Sequence, residues 1–162
     1  MSSGAGFLME KEFWIKGENM DKTKPCRDLK QLTPLAQEAC SLFLEECKKQ
    51  GIHIFVTETY RSQDRQQWLY AQGRTRSGPI VTWTKKSNHT SGMAWDIAVS
   101  PPNSLYDYKI LCKAGQIAQR LGIEWGGTWY SPDMPHFQIN SKWVNLKKEH
   151  KVEKIEIILN GV

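Results

Sequence analysis

Paired thiolates are missing from this sequence. Its four cysteines, Cys26, Cys40, Cys47 and Cys112, form no Cys-x-x-Cys pair, which argues against a thiolate zinc site. Cys40 and Cys47 fall two turns apart on a predicted helix and cannot bridge each other without breaking it. The cysteines are therefore expected to be reduced and mostly buried, as suits synthesis in a cytoplasm. Long apolar runs are missing too, so no membrane insertion is expected. The N-terminal Gly6-Phe7-Leu8-Met9 runs straight into Glu10 and Lys11, which is not a signal peptide. Acidic residues are the minority: 17 Asp and Glu against 22 Lys and Arg leave a net charge of +5. That balance suits an anionic surface as partner. No nucleic-acid motif accompanies the charge, so nucleic acid is not the expected partner. At 162 residues the chain is long enough for one ordinary domain and short for two. A monomer is expected.

What is present centres on Ser87-Asn88-His89-Thr90-Ser91-Gly92-Met93-Ala94-Trp95-Asp96. A second histidine follows in Asp133-Met134-Pro135-His136-Phe137. Two imidazoles and one carboxylate are the ligand set of a catalytic zinc that keeps one position open to water. A lone histidine is more often structural or exposed, and His53 and His150 are read that way. On a helix, His89 and Asp96 would sit about 10.5 Å apart along the axis, too far to share one ion. On one continuous strand they would point to opposite faces. The chain must bend between them, and Gly92 is the residue most able to bend it. After the bend, Ile97 and Val99 alternate with Asp96, and Phe137 and Ile139 alternate with His136 and Gln138. Two adjacent strands, each with one ligand on its open face, would carry the metal on rigid elements.

Ser-x-His-x-x-Gly-x-Ala-x-Asp followed by Asp-x-Pro-His-Phe resembles the zinc D-Ala-D-Ala carboxypeptidase and L-alanyl-D-glutamate endopeptidase family, whose fold is shared with the hedgehog signalling domain. The similarity spans about Leu32 to Ile139. It implies an α+β fold, with a small, mainly antiparallel sheet carrying one zinc ion and packed against about three helices. His89, Asp96 and His136 are the expected ligands. Bacterial peptidoglycan is the expected partner, and its acidic polymers suit the basic charge.

Along the chain, residues 1–30 read as a polar N-terminal extension. Its opening Ser2-Ser3-Gly4-Ala5-Gly6 has the character of a cloning remnant. Residues 31–148 form the expected catalytic domain. A helix is predicted from Thr33 to about Gln50, capped by Thr33, opened by Pro34 and ended by Gly51. Ile52 to Thr57 reads as a buried strand. Ser62 caps a second helix over Gln63–Gln72, stopped by Gly73. Residues 73–86 make a long basic connection expected to rim the cleft, a solvated loop being the plainer reading. A third helix is predicted over Tyr106–Leu121, ended by Gly122, and Ile123-Glu124-Trp125 begins a strand. Residues 149–162 are read as a C-terminal strand or the start of a wall-binding domain. Val152–Leu159 alternates there, and Asn160-Gly161 signals a hairpin turn. The expectation is a catalytic fragment cut as that domain begins.

The resemblance assigns further roles. Tyr60-Arg61-Ser62 and the helix bearing Gln66 match a family segment whose arginine binds substrate and stabilises the oxyanion, and a guanidinium fork suits that task. Asp133 stands where the family places its acidic general base; alone, an aspartate beside prolines is usually a turn former. Gln66 and Ser87 are candidate substrate contacts, Ser87 also reading as a cap of the motif's turn. Trp129, in a Trp-Gly-Gly segment, is a candidate groove floor, although tryptophan more often packs. The expected activity is endolysin-like cleavage of the L-Ala–D-Glu bond of the peptidoglycan stem. The alternatives are a D-Ala-D-Ala carboxypeptidase and a non-catalytic, metal-bearing binding module. The protein would be made in the bacterial cytoplasm and reach the wall after phage-induced lysis.

Overall fold

The computed structural model describes residues 20–141 and Trp143. The predicted strand Val152–Leu159 and most of the N-terminal extension lie outside the described residues. Among the described residues, three α-helices and a four-stranded antiparallel sheet make an α+β fold. The helices are α1 (Pro34–Lys49), α2 (Gln63–Ala71) and α3 (Tyr108–Leu121). The strands are β1 (Ile54–Glu58), β2 (Ala94–Val99), β3 (Glu124–Trp125) and β4 (His136–Gln138), in the order β1-β2-β4-β3. Among the described residues no helix is long and apolar enough to cross a membrane. The span expected to form one catalytic domain contains two compact units. One holds Ser62–Ser87 with the described residues before Pro25, and the other holds Pro25–Arg61 and the chain from Asn88 onward.

The larger unit contains the whole sheet. Side chains alternate across β2: Trp95, Ile97 and Val99 enter the core, and Asp96 faces the other side. Thr33 Oγ1 accepts the Ala36 N–H at 3.3 Å and starts α1, with Pro34 filling the first helical position. The buried face of α1 brings Phe43 to Phe137, with ring centroids 4.6 Å apart, and to Trp95 at 6.2 Å. Leu111, Ala114, Ile117 and Leu121 make the inner face of α3. Helix α3 begins at Tyr108, two residues later than predicted, because Asp107 accepts the Ile110 N–H at 3.0 Å and caps it. Strand β1 begins at Ile54 and is half-buried rather than buried, because it lies at a sheet edge. All four cysteines are free; Cys40 and Cys47 are buried, while Cys26 and Cys112 are half-buried.

In the smaller unit, Ser62 Oγ accepts the Arg65 N–H at 3.1 Å and caps α2. Side chains of that helix then hold the connection that follows. Gln66 Nε2 donates to the Thr84 carbonyl at 2.7 Å and Gln63 Nε2 to the Lys85 carbonyl at 3.0 Å. The Arg76 guanidinium stacks on Trp68, 3.5 Å from its ring centroid, and Arg74 on Tyr70 at 3.8 Å. Residues 73–86 are thus stapled to α2 at several points, not held by solvent alone.

Candidate active site

Sheet register assembles the site. Asp96 on β2 pairs directly with His136 on β4 and with Glu58 on β1. Directly opposed residues point to the same face, so three polar side chains form a row across three strands. A register shift between Val56 and Glu58 turns Glu58 to that face, since Val56 pairs with Ile97 on the core side.

His89 comes from the turn before β2. Gly92 adopts φ +69° there and donates its N–H to the His89 carbonyl at 3.2 Å. A side chain at Gly92 would meet backbone atoms of Gln31 and Thr33 at 3.3 Å, so the bend requires glycine for space as well as for φ. The exit from β1 holds the turn from the other side. The Arg61 N–H donates to the His89 carbonyl at 3.0 Å, and the Thr59 carbonyl lies 2.7 Å from His89 Nδ1. With Nδ1 donating to that carbonyl, His89 Nε2 is turned toward Asp96 Oδ2, 3.3 Å away. His136 is oriented in the same manner. Its Nε2 is 2.8 Å from Gln138 Oε1, and its Nδ1 is 3.3 Å from Asp96 Oδ1.

The donor atoms of His89, Asp96 and His136 all lie within 4.8 Å of one another. Asp96 Oδ1 is buried and makes no hydrogen bond, although His136 Nδ1 lies close by. Burial alone would raise the Asp96 pKa; the charge of His89 and the contact with His136 outweigh it and hold the carboxyl well below the usual range. Burial lowers the His136 pKa, but the close contact and charge of Asp96 more than reverse this, so the net shift is upward. A carboxylate kept ionised between two oriented imidazoles fits a divalent cation of the zinc type. Each histidine also has a partner on its second nitrogen, which fixes its tautomer and ring plane.

The turn carrying Asp133 is tied to Gly126. Both the Asp133 and the Trp129 N–H groups donate to the Gly126 carbonyl, at 2.9 and 3.2 Å. Asp133 is exposed as a residue, yet packing about its carboxyl raises its pKa, helped by the charge of Asp96 and opposed by His136, His89 and Arg61. The carboxyl therefore lies within electrostatic reach of all four groups. Arg61 is buried, its Nη2 being 2.6 Å from Glu58 Oε2 and 3.6 Å from Asp96 Oδ2. The Trp129 ring lies beside His136, with centroids 4.9 Å apart, and its Nε1 donates to Glu124 Oε1 at 2.9 Å. Gln66 and Ser87 belong to the smaller unit. Gln66 is fully buried, and its Nε2 donates to the Thr84 carbonyl. Ser87 is half-buried at the end of that loop.

A Cβ placed on Gly126 would lie 2.5 Å from the Asp133 carbonyl oxygen and 3.2 Å from His136 Cβ. Gly126→Ala is therefore expected to push the Asp133–His136 turn outward. A displacement of about 1 Å would lower kcat roughly 100-fold. Steady-state kinetics beside a thermal melt check this: kcat should fall far more than Tm.

Glu58, Thr59, Gln138 and Glu124 serve the site without any motif to announce them. The signal for Glu58 was a single acid ending an apolar strand, three residues before Arg61. Gln138 and Glu124 are register partners, and the Glu124 carboxylate, kept below its ordinary pKa despite burial, accepts from Asn140 and Trp129. Gln138 turns its Oε1 to His136 Nε2, 2.8 Å away.

Two histidines, an aspartate, an acid and an arginine thus gather at the sheet, and the donor atoms of His89, Asp96 and His136 are close enough together to hold a metal ion. Residues 81–139 match the family described as D-alanyl-D-alanine carboxypeptidase. The peptidoglycan L-alanyl-D-glutamate endopeptidase CwlK of Bacillus subtilis (strain 168) is 31% identical over 122 residues, 67% of this chain and 73% of that protein. Two solved structures share the fold. One is the L-Ala D-Glu endopeptidase ChiX of Serratia marcescens, with a TM-score of 0.57, 22% identity, and coverage of 75% of this chain and 86% of that one. The other is VanYB in complex with D-alanine-D-alanine, with a TM-score of 0.54, 16% identity, and coverage of 80% and 83%. The chain belongs to the zinc peptidase family of D-Ala-D-Ala carboxypeptidases and L-alanyl-D-glutamate endopeptidases.

Proposed function

We propose that this protein is a zinc-dependent peptidoglycan hydrolase that cleaves the L-Ala–D-Glu amide bond of the stem peptide. The observation that carries the choice of bond is the relation to CwlK, which extends over about two thirds of both chains. His89 through Nε2, Asp96 through its carboxylate and His136 through Nδ1 would hold the ion. Bound there, zinc supplies Lewis acidity and lowers the pKa of water toward neutrality. Asp133 accepts the proton of the attacking water and later delivers it to the leaving amine, breaking the amide C–N bond. Its raised pKa suits both directions of transfer. Arg61 offers N–H donors to the carbonyl oxygen as it gains negative charge. Trp129 walls the side of His136 and supports the imidazole plane.

Mass spectrometry of purified peptidoglycan, digested with and without a zinc chelator, tests this reading. Chelator-sensitive release of peptides beginning with D-Glu is the expected result. Release of single D-Ala would move the protein to the carboxypeptidase branch, with Arg61 holding the terminal carboxylate. Absence of products from a zinc-loaded protein on several wall types would favour the binding module.

A further inference from the structure

We infer that Glu58 is a positioning residue: it holds Arg61 away from Asp96 and so keeps the Asp96 carboxylate available to the metal. This rests on the metal reading proposed above. One nitrogen, Arg61 Nη2, faces two carboxylates. It is 2.6 Å from Glu58 Oε2 and 3.6 Å from Asp96 Oδ2. Both partners of the short pair are buried, with Glu58 6% and Arg61 9% exposed, so neither charge is satisfied by bulk water. A buried guanidinium requires a nearby anion, and two carboxylates are placed to serve. The close, charge-assisted bond to Glu58 meets that need and leaves Asp96 in the weaker position. Glu58 reaches this place through the register shift between Val56 and Glu58, which puts it opposite Asp96 on the site face. Without that shift the alternation of β1 would send it to the core side.

With the Glu58 charge removed, Asp96 Oδ2 still lies 3.6 Å from the same nitrogen. The guanidinium would then close on Asp96 and compete with a cation for its oxygens. Glu58 thus has a second effect. It draws one edge of the guanidinium toward the strand, which fixes the direction in which the remaining N–H groups point.

Zinc affinity of the full chain, measured by competition with a chromophoric chelator, reads this without any substrate. E58Q and E58A are expected to bind zinc about 10- to 100-fold more weakly than wild type, the range for groups that orient metal ligands. R61A is expected to bind at least as tightly as wild type. The deciding variant is E58A/R61A, which should return close to the wild-type affinity, because Glu58 acts through Arg61. An E58A penalty of the same size in the R61A background would overturn the proposal, since loss of a negative charge near the cation would then explain it. Wild-type affinity in E58Q and E58A would overturn it as well. Should E58A fail to fold, E58Q keeps the shape of the side chain, and the double variant removes both buried charges. A wild-type chain that binds no zinc would overturn the metal reading itself and this role with it. A zinc-binding wild type matched by its Glu58 variants would overturn the role of Glu58 alone. The Co2+ absorption spectrum gives a second readout: E58A should change its intensity and E58A/R61A should restore it.

Discussion

Replacing Asp133 by asparagine is expected to lower kcat by a factor of about 10² to 10⁴ while leaving zinc affinity nearly unchanged. Asparagine has the size of aspartate and keeps the turn. The 2.9 Å bond from the residue 133 N–H to the Gly126 carbonyl belongs to the backbone and survives the change. What is lost is a group that can take a proton from water and return it to an amine. The pH profile separates this loss from a general disturbance. Burial, with the charge of Asp96, raises the Asp133 pKa, so the proton-accepting form is lost on acidification sooner than for an ordinary aspartate. The wild-type kcat/KM should therefore fall on the acid side through that raised pKa, and the residual activity of Asp133→Asn should lack that limb. Wall-lysis rates equal to wild type in Asp133→Asn would remove Asp133 from the mechanism.

Asp96→Ala is the larger change in binding. The carboxylate meets both imidazoles at 3.3 Å, one with each oxygen, so its removal takes away the proposed carboxylate ligand and the anion between two histidines. Zinc affinity should fall beyond the roughly 100-fold limit typical of groups that merely orient ligands. Wall hydrolysis should fall to background. Isothermal titration with zinc checks the first effect and release of stem peptides the second. The fold should survive, because the core face of β2, with Trp95, Ile97 and Val99, is untouched. In the wild type, zinc must also compete with protons. The metal-free His136 pKa is raised, by Asp96 against the opposing effect of burial, and metal ligation requires the neutral ring. Affinity should therefore be full above that raised pKa and decline as pH falls through it. The decline begins at a higher pH than an unperturbed histidine would give. In Asp96→Ala the residual affinity should shift its pH midpoint downward.

Much of this arrangement was legible from residue types. The bend at Gly92 followed from the impossibility of placing His89 and Asp96 on one regular element near one ion, and Gly92 has the positive φ that the bend requires. The alternation around Asp96 and His136 gave their strands and faces, and the register makes the two residues direct partners. Thr33 and Ser62 cap the helices they were expected to cap. Other features were hidden because they depend on tertiary placement. Half-exposure of β1 follows from its edge position, and strand order is not written in local periodicity. Glu58 escaped notice because a register shift breaks the period of two at that position. The bond from the Gln66 amide to the Thr84 carbonyl depends on how the loop packs, which local sequence does not carry. Thr59 acts through its backbone carbonyl, so its side chain could not have signalled the role.

The row Glu58–Asp96–His136 runs across the sheet, perpendicular to the chain direction. These residues are far apart in sequence but neighbours through the hydrogen-bond ladder. A site laid out in this way separates two kinds of change. The connections between the strands, among them residues 100–107 between β2 and α3, can lengthen or shorten without moving the row. A one-residue slip of β2 against β4 would instead turn Asp96 away from His136 and bring Trp95 or Ile97 to the site face. The locus of constraint is thus the pairing of short strands rather than the length of any loop. Insertions between these strands are a route by which such a scaffold can acquire new substrate contacts while its polar row stays fixed.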